Sequence, residues 1–419
     1  MKIDLTRRQF GLLTLGTLLS ATSTKSLAKI DPYHGRCLLT IHAGGGWDVT
    51  LYCDPKENQI GAPLITRWSE AGMTQKAGAI HFAPVANNSE FFDQHFQQTL
   101  VINGVDTQTN AHQTGERHTW TGSASEGRPS LSHLFAQAQA PDLPLSSLNF
   151  GTFIAAGTLS QATNLSANRL AGLLTERSAY SGSTTEQALY ESYRARGVEL
   201  AAQNIKSGNA RRAWHEHARA MELSKSLGVL GELLPAEFPP KQSVHKGESS
   251  LIPDIETALL AFKSGLTAAA SCGAGGDWDT HANGEDSHTL NLTALNESLI
   301  YLWQRAETLG LADRLTVVIS SDFSRTPYYN SAGGKDHWPL NSYMIMDTRP
   351  NFGNRVIGQT DELQNGVKLS ASTMQPSPSG TVLVPAQVHA ALHDFLGISD
   401  FASDIGYHFP TVDPINLMA

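Results

Sequence analysis

Four short segments hold most of the residues able to bind a metal ion or move a proton. HAGGGW leads into Asp48, GGDWDTHAN carries Asp277, Asp279 and His281, SSDFSRTPYYN carries Asp322, and GGKDHWP carries Asp336 and His337. Carboxylates and neutral imidazoles are oxygen and nitrogen donors suited to a divalent ion, zinc first and manganese or calcium after it. The glycines allow the tight backbone turns that bring such donors together. The same residues also have plainer uses. An aspartate after a strand often caps the next helix, a DH pair in a loop is commonly just solvated, and Asp279 can accept from amides of its own turn. The metal reading gains on a purely structural polar network because all four segments fall on one predicted sheet edge.

That edge follows from the order of the elements. Short buried strands are expected at 36–42, 99–103, 145–151, 266–272, 314–320 and 341–346. Helices are expected from about Asn110, over 130–140, over 287–309 and in PAQVHAALHDFLG near the end. Strands alternating with helices imply a mostly parallel sheet covered on both faces, with its ligand crevice beyond the carboxyl ends of the strands. Residues 184–235 break the alternation. They are rich in Ala, Glu, Gln, Arg and Leu and read as a helical insertion or cap. The following PAEFPPKQSVHKGESS has loop composition.

The N-terminus carries an address. Arg7 and Arg8 precede Phe10 and a mildly apolar run through Leu19, and Ser26 and Ala28 mark a cleavage site before Lys29. This pattern is a twin-arginine signal over residues 1–28, read by the twin-arginine translocase, and it implies a periplasmic or extracellular protein. Its apolar run is shorter than the roughly 20 residues a membrane span needs, and no second long apolar stretch follows. Removing residues 1–28 takes away four basic residues and one acidic one, leaving 26 and 38 and a net charge of −12. So acidic a chain is a poor binder of nucleic-acid backbone. Cys37, Cys53 and Cys272 lack any CxxC spacing; their pairing stays open, and buried thiols are the simpler reading for Cys37 and Cys272.

Together, the leader, GGDWDTHAN, SSDFSRTPYYN and GGKDHWP resemble a bacterial family of exported proteins of unknown function, related to the alkaline phosphatase and sulfatase superfamily. The resemblance runs from Cys37 to about Ile398 and is weakest at 184–250. It implies a single three-layer α/β/α domain over 29–419, with a metal centre at the carboxyl edge of the sheet. By position, Asp48 resembles the first-strand ligand, Asp277 and His281 match a D-x-x-x-H pair, with Asp279 as a competitor, and Asp322 matches the carboxylate after a late core strand. His337 resembles a late histidine ligand. Phe323 stands where two-zinc phosphatases carry a histidine.

The resemblance also implies a nucleophile at a helix N-terminus after the second strand, and there this chain departs from the pattern. The expected position falls near Asn110, Ala111 and His112, and Ala111 cannot attack an ester; Thr109 and Thr114 are the nearest hydroxyls. One reading is therefore a metal-dependent hydrolase of a phosphate or sulfate ester. In it water attacks, His112 positions substrate or moves protons, and Arg325 and Lys335 contact the small anionic ester. The other is a non-catalytic exported binding or assembly protein on a degenerate hydrolase scaffold, with Trp47, Trp120, Trp278 and Trp338 as candidate cleft walls. Export provides the first test. Replacing Arg7 and Arg8 together with lysine keeps the charge and should leave the precursor in the cytoplasm, as read by cell fractionation; undiminished delivery of that variant would remove the twin-arginine reading.

Overall fold

Six consecutive buried residues, Cys37–His42, form β1, the strand about which the sheet is organised. The computed structural model describes residues 32–415 except 69–72, 146, 160–161, 165, most of 168–228, 371 and 413–414. The other strands of the eight-stranded sheet are β2 (Thr99–Asp106), β3 (Leu148–Phe150), β4 (Thr163–Asn164), β5 (Ala269–Gly273), β6 (Leu315–Ser320), β7 (Leu340–Asp347) and β8 (Arg355–Ile357). Across the sheet they stand in the order β8-β2-β7-β6-β1-β5-β3-β4. Only β7 runs against the rest, pairing antiparallel with β6 and β2, and every other pairing is parallel.

Side chains alternate across a strand, so each strand feeds two cores. Leu39, Ile41, Val317 and Ile319 belong to one core, packed with α1 (Asn88–His95), α4 (Leu251–Lys263) and α5 (Gly284–Leu309). Leu38, Val318 and Ile345 belong to the other, packed with α2 (His112–Thr121), α3 (Leu131–Gln139) and α6 (Pro385–Phe395). The result is the expected three-layer α/β/α arrangement around a mostly parallel sheet. Among the described residues no helix is long and apolar enough to cross a membrane.

The strands and helices expected from apolar periodicity are present, while elements with weak or uniform patterning differ from the reading. The stretch read as a loop before residue 250 contains a hairpin, Gln242–Val244 against Gly247–Ser249, turned through Lys246 at φ +59° and Gly247. α4 is not among the helices expected from sequence; it is buried nearly all round, from Leu251 to Phe262. The leader, 1–28, and most of the 184–235 insertion lie outside the described residues, although positions 229–233 at the end of the insertion are helical.

Register explains why loops far apart in sequence start side by side. His42 pairs with Ser320 on β6 and with Gly273 on β5, so the segments 43–48, 274–281 and 321–325 leave the sheet together. β2 runs the same way and delivers 107–111 to the same edge, ending at the N-terminus of α2. Because β7 is antiparallel, its start is at that edge too, and 336–338 lead directly into it. The sheet centre should be correspondingly sensitive. Ile319→Ala removes a fully buried side chain from β6 and should cost about 2–4 kcal/mol in denaturant unfolding, with little change of secondary structure.

Candidate metal centre

Asp279 is the meeting point of these loops. Its carboxylate lies 3.0 Å from His281 Nε2, 3.1 Å from His337 Nε2 and 3.5 Å from His112 Nε2. The two imidazole nitrogens of His281 and His337 are themselves 3.0 Å apart. The cluster draws on three segments: the loop after β5, the segment entering β7 and the first turn of α2.

Each imidazole is oriented from behind. His112 Nδ1 donates to Asp322 at 2.6 Å, His281 Nδ1 to Asp336 at 2.8 Å, and His337 Nδ1 to the Asn110 carbonyl at 2.8 Å. A neutral imidazole that donates from Nδ1 keeps its lone pair on Nε2, and an oxygen acceptor behind the ring is the usual support of a metal-binding histidine. Three Nε2 lone pairs then face one carboxylate, an arrangement that repels itself unless a cation, proton or metal ion, lies among them. Among the described residues His112 Nε2 is buried without a hydrogen-bond partner. Tetrahedral zinc with bonds of about 2.0–2.1 Å sets neighbouring donors roughly 3.3 Å apart. The separations of the three imidazoles from Asp279, and of His281 from His337, run from 3.0 to 3.5 Å, and among the described residues His112, Asp279 and His337 form a group able to hold a metal ion, with donor atoms all within 4.8 Å of one another. The residues fit such an ion.

Electrostatics behind the cluster fixes Asp279 as an anion. Partial burial opposes its charge, but Arg325 and then His337 outweigh it and hold its pKa at about 2. Arg325 is fully buried and donates from Nη2 to Asp279 at 2.7 Å, from Nε to the Gly46 carbonyl at 2.7 Å and from Nη1 to the Lys335 carbonyl at 3.2 Å; Nη2 also reaches the Gly45 carbonyl. Gly45, at φ +119°, has no room for a side chain, since a Cβ there would stand 2.7 Å from the Asp279 amide. Asp322 is held far below the carboxylate range: burial opposes its charge, and His112 and His42 more than compensate. The same contact with Asp322 raises the pKa of His112 against the cost of burial. His42, at the end of β1, accepts the Trp120 indole proton on Nδ1 at 2.6 Å, so its own proton sits on Nε2, 3.1 Å from Asp322 and 3.3 Å from Glu116. Phe323 is buried beneath the site, its ring centre 4.9 Å from that of His112 and 4.7 Å from that of His337.

The residues singled out from sequence divide into three groups. His112, His281 and His337 all approach Asp279, and His112, Asp279 and His337 form a group able to hold a metal ion, while Asp322 and Asp336 stand behind His112 and His281. Others face elsewhere. Asp48 is buried against Lys335 at 2.8 Å, and Asp277 faces Lys246 at 2.5 Å while its other oxygen accepts the Asp279 amide. Arg325 and Lys335 are interior, Lys335 also donating to Thr50 at 2.9 Å, so neither lies open to an incoming anion. Thr109 Oγ accepts the Ala111 amide at 3.1 Å and serves the turn before α2, and Thr114 lies half-buried within its first turn. Trp47, Trp120 and Trp278 are buried, donating to Asn341, His42 and the Gly275 carbonyl, and half-buried Trp338 donates to the Gln364 carbonyl. Sequence reading missed the supports His42, Glu116 and the Asn110 carbonyl. His42 ends a strand as an ordinary core residue would, and a carbonyl has no sequence signature.

Residues 260–375 match the family described as "protein of unknown function (DUF1501)". That stretch contains Asp279, His281, Asp322 and His337. No curated protein matches the chain. Among solved structures the chain is similar to the lipoteichoic acid synthase of Listeria monocytogenes, at 10% identity and a TM-score of 0.38 over 92% of this chain and 75% of that one. It is similar to the phosphonate monoester hydrolase of Agrobacterium radiobacter, at 11% identity and a TM-score of 0.36 over 86% and 74%. It is also similar to the alkaline phosphatase of the Antarctic bacterium TAB5, at 9% identity and a TM-score of 0.32 over 78% and 95%.

The geometry separates ligands from supports in a zinc titration followed by calorimetry. Asp279→Ala should abolish binding, and Asp336→Asn should weaken it about 10- to 100-fold by loosening His281. Asp48→Asn should leave affinity unchanged yet destabilise the fold by about 3–5 kcal/mol, because Lys335 becomes an unpaired buried charge. Equal zinc affinity in wild type and Asp279→Ala would remove this centre.

Proposed function

We propose that this chain is an exported, metal-dependent hydrolase of a small anionic ester, with its divalent ion held by His112, Asp279, His281 and His337. The observation carrying this reading is the common orientation of the three imidazoles, each held at Nδ1 by an oxygen and each presenting Nε2 to Asp279. Zinc fits the nitrogen-rich donor set best. A divalent ion bound there supplies Lewis acidity toward an ester oxygen and brings the pKa of water toward about 7.

The chain's own residues prepare the site. Arg325 keeps Asp279 ionised and in place, Asp322 and Asp336 fix the tautomers of His112 and His281, and Phe323 closes the floor beneath two rings to water. The imidazole face is half-exposed, with 37% of the His112 side chain and 22% of the His337 side chain accessible, so a substrate reaches it from solvent. No hydroxyl is offered at the N-terminus of α2, where Ala111 stands, and Thr109 is committed to its turn. Attack by water rather than by a protein side chain follows from that. In the same proposal residues 1–28 are the twin-arginine leader and 29–419 the mature domain.

Ala111 also favours a second reading, a metal-holding protein that binds an exported partner or ligand and catalyses nothing. Turnover separates the two. Zinc-loaded protein should hydrolyse at least one of p-nitrophenyl phosphate, bis-p-nitrophenyl phosphate and p-nitrophenyl sulfate. That activity should vanish in Asp279→Ala and persist in Thr109→Ala and Thr114→Ala. Loss in either threonine variant would make that hydroxyl the nucleophile, and no turnover of any ester by protein with stoichiometric zinc would leave the binding reading.

A further inference from the structure

A cavity of about 540 Å³ lies between the segment after Leu51, the ribbon at 75–82, the bulged middle of β2 and the loops that follow β8. It shares no residue with the cluster around Asp279. The volume is in the range of small-molecule sites, about 300–1,000 Å³. We infer that this cavity is a second ligand site, for a neutral, hydroxyl-rich molecule of mono- or disaccharide size.

The argument starts from Lys56 and Asp54, an ion pair at 2.9 Å with both residues only 7% exposed and both lining the cavity. Burying such a pair is costly unless the remaining donors and acceptors are also matched. Asp54 spends its second oxygen on the Thr360 hydroxyl at 2.5 Å. An ammonium has three protons to donate, and among the described residues only Asp54 accepts one from Lys56. The side chain therefore carries two charge-strengthened donors at the wall of a cavity large enough to hold their acceptors.

The other lining residues select the ligand's chemistry. Asp54, Glu57 and Glu362 set three carboxylates against the single ammonium, which disfavours an anion. A cation would leave the Lys56 protons unmatched. A hydroxyl group meets both demands, accepting from Lys56 and donating to a carboxylate, and the amides of Gln359 and Gln375 extend the same two-way bonding along the wall. Met374 and Pro376 add an apolar surface of the kind that covers the C–H face of a sugar ring. The walls are braced by backbone bridges, Thr360 to Gly366 and Leu369 to both Pro376 and Thr381, so the cavity does not depend on a ligand to hold its shape.

Saturation-transfer NMR on the full-length protein with glucose, galactose, N-acetylglucosamine, maltose and cellobiose tests the inference. At least one sugar should bind, with at least tenfold loss of affinity in Lys56→Met. Should Lys56→Met fail to fold, Thr74→Trp, which fills the wall from a half-buried position, and Gln375→Ala, at an exposed one, supply the same test. Both should weaken the sugar at least tenfold while zinc affinity stays at the wild-type value, so the result is independent of whether the metal centre is catalytic. The inference is overturned if no sugar in the panel binds, if the three variants bind it as well as wild type, or if only inorganic phosphate or spermidine is held.

Discussion

The guanidinium of Arg325 is the contact on which the organisation of this protein's sheet edge rests. It is fully buried, and a charge taken out of water is tolerated only when its donors are matched. The matches come from three loops at once: the Gly45 and Gly46 carbonyls after β1, the Lys335 carbonyl before β7, and the Asp279 carboxylate after β5. One side chain therefore fixes the mutual position of segments separated by up to 280 residues. Gly45 and Gly46 fit this role because their positive φ values turn two successive carbonyls toward the charge, and a side chain at either would collide with Asp279 or Phe323. The neighbouring Asp48–Lys335 pair is the same device repeated one step deeper.

With Asp279 fixed from behind, its free side becomes a place where charge must be balanced. Three imidazoles supply lone pairs there, because Asp322, Asp336 and the Asn110 carbonyl take up the proton on the opposite ring nitrogen. The layers are thus ordered by electrostatics: buried cation, central carboxylate, imidazole ring, outer oxygen acceptors. His42 extends the order one further step, since the indole of Trp120 commits its Nδ1 and turns its proton toward Asp322. Catalysis by a protein nucleophile would need a hydroxyl on the same rim. Ala111 at the start of α2 offers none.

The cavity around Lys56 follows a different rule. Beside Asp279 the buried guanidinium of Arg325 is answered by four protein oxygens, whereas among the described residues Lys56 is answered once and lines a cavity. The contrast within one fold marks the second as a place built to receive polar atoms from outside. The β8 edge of the sheet can host it because the loops there brace one another and, through Leu383, the end of β2.

The sequence by itself determined the strands and the side of the sheet on which chemistry would sit. RCLLTIH and RLTVVIS read as short buried strands, being apolar, brief and rich in β-branched residues, and loops after parallel strands share an edge by topology alone. It also determined the residue types, since GGDWDTHAN and GGKDHWP bring carboxylates, imidazoles and glycines to that edge. Only the tertiary structure decided which of them meet. Asp277 and Asp279 are two residues apart and equally acidic, yet a surface lysine on the 242–249 hairpin turns one away while a buried arginine draws the other in. Asp48 and Asp322 both follow β-strands at the same edge, yet one is neutralised by Lys335 and the other supports His112. Such choices are made by partners hundreds of residues distant, through contacts of about 3 Å that spacing along the chain does not encode. The antiparallel turn of β7, which places His337 against His281, belongs to the same class: sequence shows a strand there, and only pairing with β6 and β2 gives its direction.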